Sequence, residues 1–185
     1  MAIVLNCIII VLEILGLRIS IKRKWALFAF YTQLSNMVTL VSSIAFLIMG
    51  PGAAGIRYLS TCMLTMTFLV TAFVLVPMGG GLKKLMFSGN GLYHHTLCPI
   101  ISIGSYIFFE THSDIWLLPV VLTFIYGMIM LYLNYKKIYD GPYPFFRVYH
   151  QSRLVSVLWF LTLTVLITLL SLAVLKIAPK LSIFV

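Results

Sequence analysis

Phe30-Tyr31-Thr32-Gln33-Leu34-Ser35-Asn36-Met37-Val38-Thr39, continuing to Ser42 and Ser43, is the stretch that decides how this chain is read. It lies inside a long apolar run, which predicts a membrane-spanning helix. Thr32, Ser35, Asn36, Thr39, Ser42 and Ser43 recur at spacings of three and four, so they share one face of that helix. Hydrocarbon offers such a face no hydrogen-bond partner. The stripe must therefore look into a bundle, toward other helices or a cavity.

The composition around it agrees. Of 185 residues, 62% are hydrophobic and only 9% charged, and the mean hydropathy is +1.08. A soluble domain is nearer half apolar and a quarter charged. At about 20 residues per span, the chain is expected to be all-α, a single polytopic domain over 1–185 with six transmembrane helices in one bundle. The spans are predicted at 2–19, 27–49, 58–76, 92–109, 115–135 and 154–175. Breakers separate them: Gly50-Pro51-Gly52, then Pro77 with Gly79-Gly80-Gly81, then the short acidic turn 110–114. The apolar N-terminus, with no basic residue before it and no small-residue cleavage site after it, is read as a retained first helix. No internal repeat or low-complexity segment is seen.

The net charge of +9 does not indicate nucleic acid, because the basic residues sit in small groups at the ends of apolar runs. Arg18, Lys22, Arg23, Lys24, Lys83, Lys84, Lys136, Lys137, Arg147 and Arg153 follow the odd-numbered spans, and Arg57 alone follows an even one. The positive-inside rule then puts both termini outside, with Lys176 and Lys180 opposing mildly. Trp25 reads as an interface anchor. Cys7, Cys62 and Cys98 lie inside apolar runs and form no disulfide framework.

Three polar elements converge at one depth on the predicted inner side. Thr32 lies seven residues past Trp25, roughly 10 Å into the bilayer at the helical rise. His94 and His95 open the fourth span. The 140–146 loop, Asp-Gly-Pro-Tyr-Pro-Phe-Phe, holds too many prolines for a helix and too many aromatics for a plain linker. It is expected to cover the mouth of the site, with Tyr143 or Phe145 inserted.

Each residue has a structural and a chemical reading. Membrane Thr and Ser commonly bond their own backbone one turn back. Asn36 needs several partners in lipid. A histidine near neutral pH suits a general base, or it caps a helix. Cys98, one turn after His94, is inert packing or half of a thiol–imidazole pair. Glu13 in mid-helix must face the bundle. No ligand spacing for a metal, no opposed histidines for haem and no phosphate-cradling glycine motif are present, so no metal and no cofactor are expected.

Taken together, Phe30 to Asn36, then Tyr93-His94-His95-Thr96-Leu97-Cys98-Pro99, then Gly141-Pro142-Tyr143-Pro144-Phe145 resemble the three marks of one family. It is that of the androgen-induced and androgen-dependent integral membrane proteins, with their bacterial six-helix relatives. The resemblance runs over nearly the whole chain, and its specificity lies in the set of three. It implies an intramembrane hydrolase of the bacterial plasma membrane. The substrate class would be fatty-acyl esters such as fatty acid esters of hydroxy fatty acids. Thr32 matches the family's nucleophilic threonine. The base is His94, with Pro99 five positions on, or His95, with Pro99 four positions on; His94 is preferred. Ser35 and Asn36 depart from the animal pattern and stand as oxyanion donors, with Tyr143 at the substrate. A more distant relative, a lipid acyltransferase with a Cys nucleophile, keeps Cys98 in view. The alternative from another class is a small transporter or lipid-binding protein whose stripe lines a passage.

The orientation is tested by cysteine-accessibility labelling at Lys83 and Ser113. Lys83 is expected to be the cytoplasmic site, and labelling of Ser113 from the cytoplasm reverses the assignment.

Overall fold

A computed structural model describes residues 1–181 and 183, except the side chains of residues 23, 25 and 26. The anchor expected at Trp25 therefore lies outside the described residues. Among the described residues the chain is helical, with no strand. The helices are α1 (Ala2–Ser20), α2 (Tyr31–Met49), α3 (Ala54–Val70), α4 (Leu82–Met86), α5 (Cys98–Phe109), α6 (Leu117–Tyr135) and α7 (Arg153–Leu181). The stretches Ala2–Ser20, Tyr31–Gly80, Leu117–Tyr135 and Arg153–Leu181 are long and apolar enough to cross a membrane.

Tyr31–Gly80 is continuous in helical trace but is a hairpin. Gly50 takes φ +55°, which favours glycine, and the 3₁₀ turn Gly50–Ala53 carries the chain into α3. Ser42 then meets Ser60, and Ser35 meets Thr67, the pattern of two antiparallel helices. Asn6 with Ser105, and Glu13 with His94 in the turn before α5, pair α1 and α5 in the same sense.

The central rod is α3, which packs against α2, α5, α6 and α7. Every residue from Arg57 to Thr67 is buried. A helix enclosed on all sides must satisfy its polar groups internally. In α2 the buried set is Tyr31, Thr32, Gln33, Ser35, Asn36, Thr39, Ser42 and Ser43, whereas Val41, Ile44, Leu47 and Ile48 are exposed. Polar inside and apolar outside reverses the soluble pattern and suits a lipid solvent.

Four expectations are corrected. Arg57, read as a loop residue, is inside α3 and fully buried; Glu110, read as part of a short acidic turn, closes α5 and is buried with it. Arg57 Nε lies 2.8 Å from Glu110 Oε2 and Nη2 lies 3.0 Å from Oε1. A guanidinium on an enclosed helix has no water to reach, so it draws in the one carboxylate within its fork. The second helix begins at Tyr31 and not near Leu27. Ile21–Ala29 winds as 3₁₀ with Lys24 at φ 51°, and Phe30 is extended. The depth drawn from seven helical residues before Thr32 therefore does not hold, and Thr32 sits in the first turn of α2. The third helix widens into a π segment from Thr71 and loses helical geometry at Met78 and Gly79, at the breaker the sequence marks. The last runs on to Leu181, past Pro179.

Hydroxyls complete the Arg57 network. Nη1 donates to Ser42 at 3.3 Å and Ser43 at 3.2 Å, and Nη2 to Ser102 at 3.4 Å. Asn6 Nδ2 and Ser105 Oγ donate to Glu110 Oε1 at 2.9 and 2.6 Å. The network ties α1, α2, α3 and α5 at one level. Arg57→Ala is expected to lower unfolding stability by about 3–5 kcal/mol, because it strands a buried carboxylate. The double replacement Arg57→Met/Glu110→Leu should recover most of that loss. Thermal unfolding in detergent measures both.

Candidate functional site

Some ten residues along α2 from this network, about 15 Å at the helical rise, the other end of the stripe meets different partners. Phe30 is extended, so the first amides of α2 lack helical acceptors. Tyr31 N–H donates to Tyr126 Oη at 3.1 Å, and Thr32 N–H donates to Tyr143 Oη at 3.2 Å. The same Tyr143 oxygen lies 3.2 Å from Thr32 Oγ1. One phenol thus faces both the hydroxyl and the amide of Thr32, at the positive end of a helix.

Tyr143 reaches this position because the loop before α7 is pinned at both ends. Asn134 Nδ2 donates to the Asp140 carbonyl at 3.0 Å, and Asn134 Oδ1 accepts from Val148 N–H at 2.8 Å. Gln151 Nε2 donates to the Phe145 carbonyl at 2.9 Å. Gly141, at φ +72°, makes the turn. Phe145 stacks on Tyr143 with ring centroids 5.2 Å apart, and Tyr143, Phe145 and Phe146 are all buried. The loop is a plug, inserted rather than draped over the surface.

His94 is brought in by a break in helical winding. Pro99 has no N–H, and the preceding Leu92–Leu97 winds as a π turn in which Cys98 N–H bonds the Tyr93 carbonyl. That leaves the His94 carbonyl for Asn36 Nδ2, at 3.4 Å. The His94 side chain is fully buried. Its Nδ1 lies 3.3 Å from Gln33 Nε2, and its Nε2 lies 3.3 Å from Glu13 Oε2. The buried Cys98 thiol lies close to the same carboxyl group. The imidazole lies edge-on against α1 at Gly16, where an added Cβ would fall 2.1 Å from Nε2.

The remaining residues of the set are placed as follows. His95 turns away, its Nδ1 2.7 Å from the Leu85 carbonyl. Ser35 Oγ and Asn36 Nδ2 both donate to the Thr32 carbonyl, at 3.0 and 2.6 Å, and Ser35 also meets Thr67 Oγ1 at 2.9 Å. Thr32 and Tyr143 are brought together directly; His94 reaches their neighbours Gln33 and Asn36. Sequence reasoning overlooked Gly16 and Gln33. The signal for Gly16 was available: Asn6, Ile9, Glu13, Gly16 and Ser20 recur at threes and fours and form the buried face of α1.

Two cavities meet at Thr32 and Tyr143. One, of about 50 Å³, is walled chiefly by apolar and aromatic side chains, among them Met66, Val70, Phe146 and Phe160. The other, of about 490 Å³, is lined by Gln33, Lys84, Asn90 and His95 among others. Both are lined by Thr32, Leu75 and Tyr143; His94, Glu13 and Cys98 line neither. Among the described residues, no group of three His, Cys, Asp or Glu side chains is disposed to hold a metal.

The fold and site define an all-helical protein with helices long and apolar enough for a membrane and a buried polar centre between two cavities. Comparison with family models, curated proteins and solved structures finds no match.

Gly16→Ala is expected to lower stability by about 1–3 kcal/mol, because the methyl group overlaps the His94 ring. At Gly104, where an added Cβ meets nothing within 4 Å, the same substitution should be neutral or mildly stabilising. Paired thermal unfolding curves distinguish the two.

Proposed function

We propose that the chain is a six-helix intramembrane hydrolase of fatty-acyl esters, with Thr32 as nucleophile and His94 as base. The observation that carries this reading is the position of Tyr143 Oη, 3.2 Å from both Thr32 N and Thr32 Oγ1. A carbonyl oxygen under attack by Oγ1 needs a donor on that side, and a helix N-terminus supplies one. The amide of Thr32 takes the oxyanion role expected of Ser35 and Asn36, whose side chains are bound to the Thr32 carbonyl. They brace the first turn and fix the direction of its N–H.

The two cavities suit an ester partway along a lipid. The apolar walls of the smaller chamber suit an acyl chain by burial of hydrocarbon, once the Tyr143 phenol has moved aside to open it. The larger chamber, with Lys84 and His95 on its wall, takes the other side of the ester and gives the deacylating water a path. Tyr143 stands where the scissile carbonyl would lie, so the loop must shift its phenol for the ester to bind. His94 Nδ1 faces Gln33, the residue after Thr32 on α2, so the ring and Thr32 must close up when the ester binds. Apo geometry of this kind tightens when substrate displaces the intervening group. The three-motif resemblance to the androgen-induced family supports the same assignment.

A fluorophosphonate probe of the serine-hydrolase type tests the reading. Wild-type protein is expected to be labelled at Thr32, Thr32→Ala not at all, and Thr32→Ser at a measurable rate. Loss of the base in His94→Gln should slow labelling by about 10²–10⁴-fold. A wild-type protein that resists labelling, while turning over no acyl ester, overturns the hydrolase in favour of a passage or lipid-binding role.

A further inference from the structure

We infer that Glu13 is the positioning residue for His94, holding its imidazole as the tautomer protonated on Nε2 so that the Nδ1 lone pair faces α2. The inference rests on the catalytic reading above, but the hold on the ring is argued from its own geometry.

Three observations converge on it. Glu13 Oε2 and His94 Nε2 are 3.3 Å apart, and both side chains are fully buried. A carboxylate in such a place needs a proton or a cation beside it, and an imidazole N–H is the group that the fold presents. On the other edge of the ring, Gln33 Nε2 lies 3.3 Å from Nδ1. An amide N–H has a use there only if Nδ1 carries a lone pair. One face therefore asks for the proton and the other for the lone pair, and the same tautomer answers both. The third observation is Gly16, one turn beyond Glu13 on the same face of α1. It lets the ring approach the helix backbone, since any Cβ would sit 2.1 Å from Nε2 and 2.4 Å from Cδ2.

The other groups around the pair leave this assignment intact. From the α5 side, the Cys98 thiol lies close to Glu13 and brings no charge. From α2, Gln33 and Asn36 are neutral. His95 is turned to the Leu85 carbonyl. The Arg57–Glu110 pair meets α1 only at Asn6, two helical turns away, about 10 Å.

In the reaction, the Oγ1–carbonyl bond forms as the Thr32 hydroxyl proton passes to Nδ1, once the Gln33 amide has moved aside. The imidazolium then keeps Nε2–H against the Glu13 carboxylate, which offsets its charge. Collapse of the tetrahedral intermediate breaks the ester C–O bond, and the Nδ1 proton goes to the leaving alkoxide. Water repeats the sequence on the acyl-threonine and returns the hydroxyl.

The test is ¹⁵N NMR of the full chain in detergent with labelled histidine, His94 being assigned by subtraction of His94→Gln. Fluorophosphonate labelling of Thr32 is followed on the same samples. Wild type should show the Nε2-protonated pattern. Glu13→Leu should shift it toward the other tautomer and slow labelling about a hundredfold or more. Glu13→Gln keeps volume and an acceptor oxygen, so it should fold, keep the tautomer and still label slowly, because the charge is gone. A ring pattern unchanged in Glu13→Leu, or wild-type labelling rates in both variants, overturns the inference. A wild-type protein that shows the tautomer but no labelling instead sinks the hydrolase reading and leaves the hold on His94 standing.

Discussion

A guanidinium buried in an apolar bundle has to find all its partners inside, and Arg57 organises half the molecule in doing so. Its fork grips Glu110, its remaining donors reach Ser42, Ser43 and Ser102, and Glu110 in turn takes Asn6 and Ser105. These residues come from four helices, and none can slide along its neighbour without stranding a charge. Replacing such a pair by apolar side chains is often tolerated energetically, so its value lies as much in fixing register as in net stability.

That register sets the other end of the stripe. With α2 locked to α3 through Ser42 and Ser60, and α1 to α5 through Asn6 and Glu110, the first turn of α2 and the π turn before α5 are brought to one level. The site can then be assembled from short-range devices. A proline releases a carbonyl, a glycine admits a ring, and an extended Phe30 leaves two amides for two tyrosine hydroxyls. A rigid scaffold thus carries a centre closed by a single pinned loop.

The helical architecture was legible because long apolar runs separated by Gly and Pro leave few alternatives. So was the inward face of α2, since a polar stripe at threes and fours has one direction in hydrocarbon. What faced it was legible only in part. The stripe proved to serve two centres, because a side chain's partner depends on which helices touch, and periodicity on one helix does not state that. Arg57 and Glu110 looked like loop charges because each stands at the end of an apolar run, where charges usually belong to the interface. The start of α2 was placed too early for a similar reason: residues 21–29 have the apolar content of a helix end but wind as 3₁₀ to an extended Phe30. Tyr143 was visible as an aromatic between two prolines, but its meeting with the Thr32 amide depends on Asn134 and Gln151 gripping the loop, which no local pattern announces.

The hydroxyls around Arg57 bear on how the chain is made as well as how it stands. Arg57 precedes Glu110 by 53 residues, an interval of roughly 3–10 s at ordinary rates of synthesis. During that time the hairpin of α2 and α3 already contains an arginine whose carboxylate does not yet exist. Ser42, Ser43 and Ser60 belong to the same hairpin; the first two precede Arg57 and the third follows it by only three residues. They give the guanidinium provisional solvation within its own segment, so the nascent helix pair carries its charge in escrow until the fifth helix arrives to claim it.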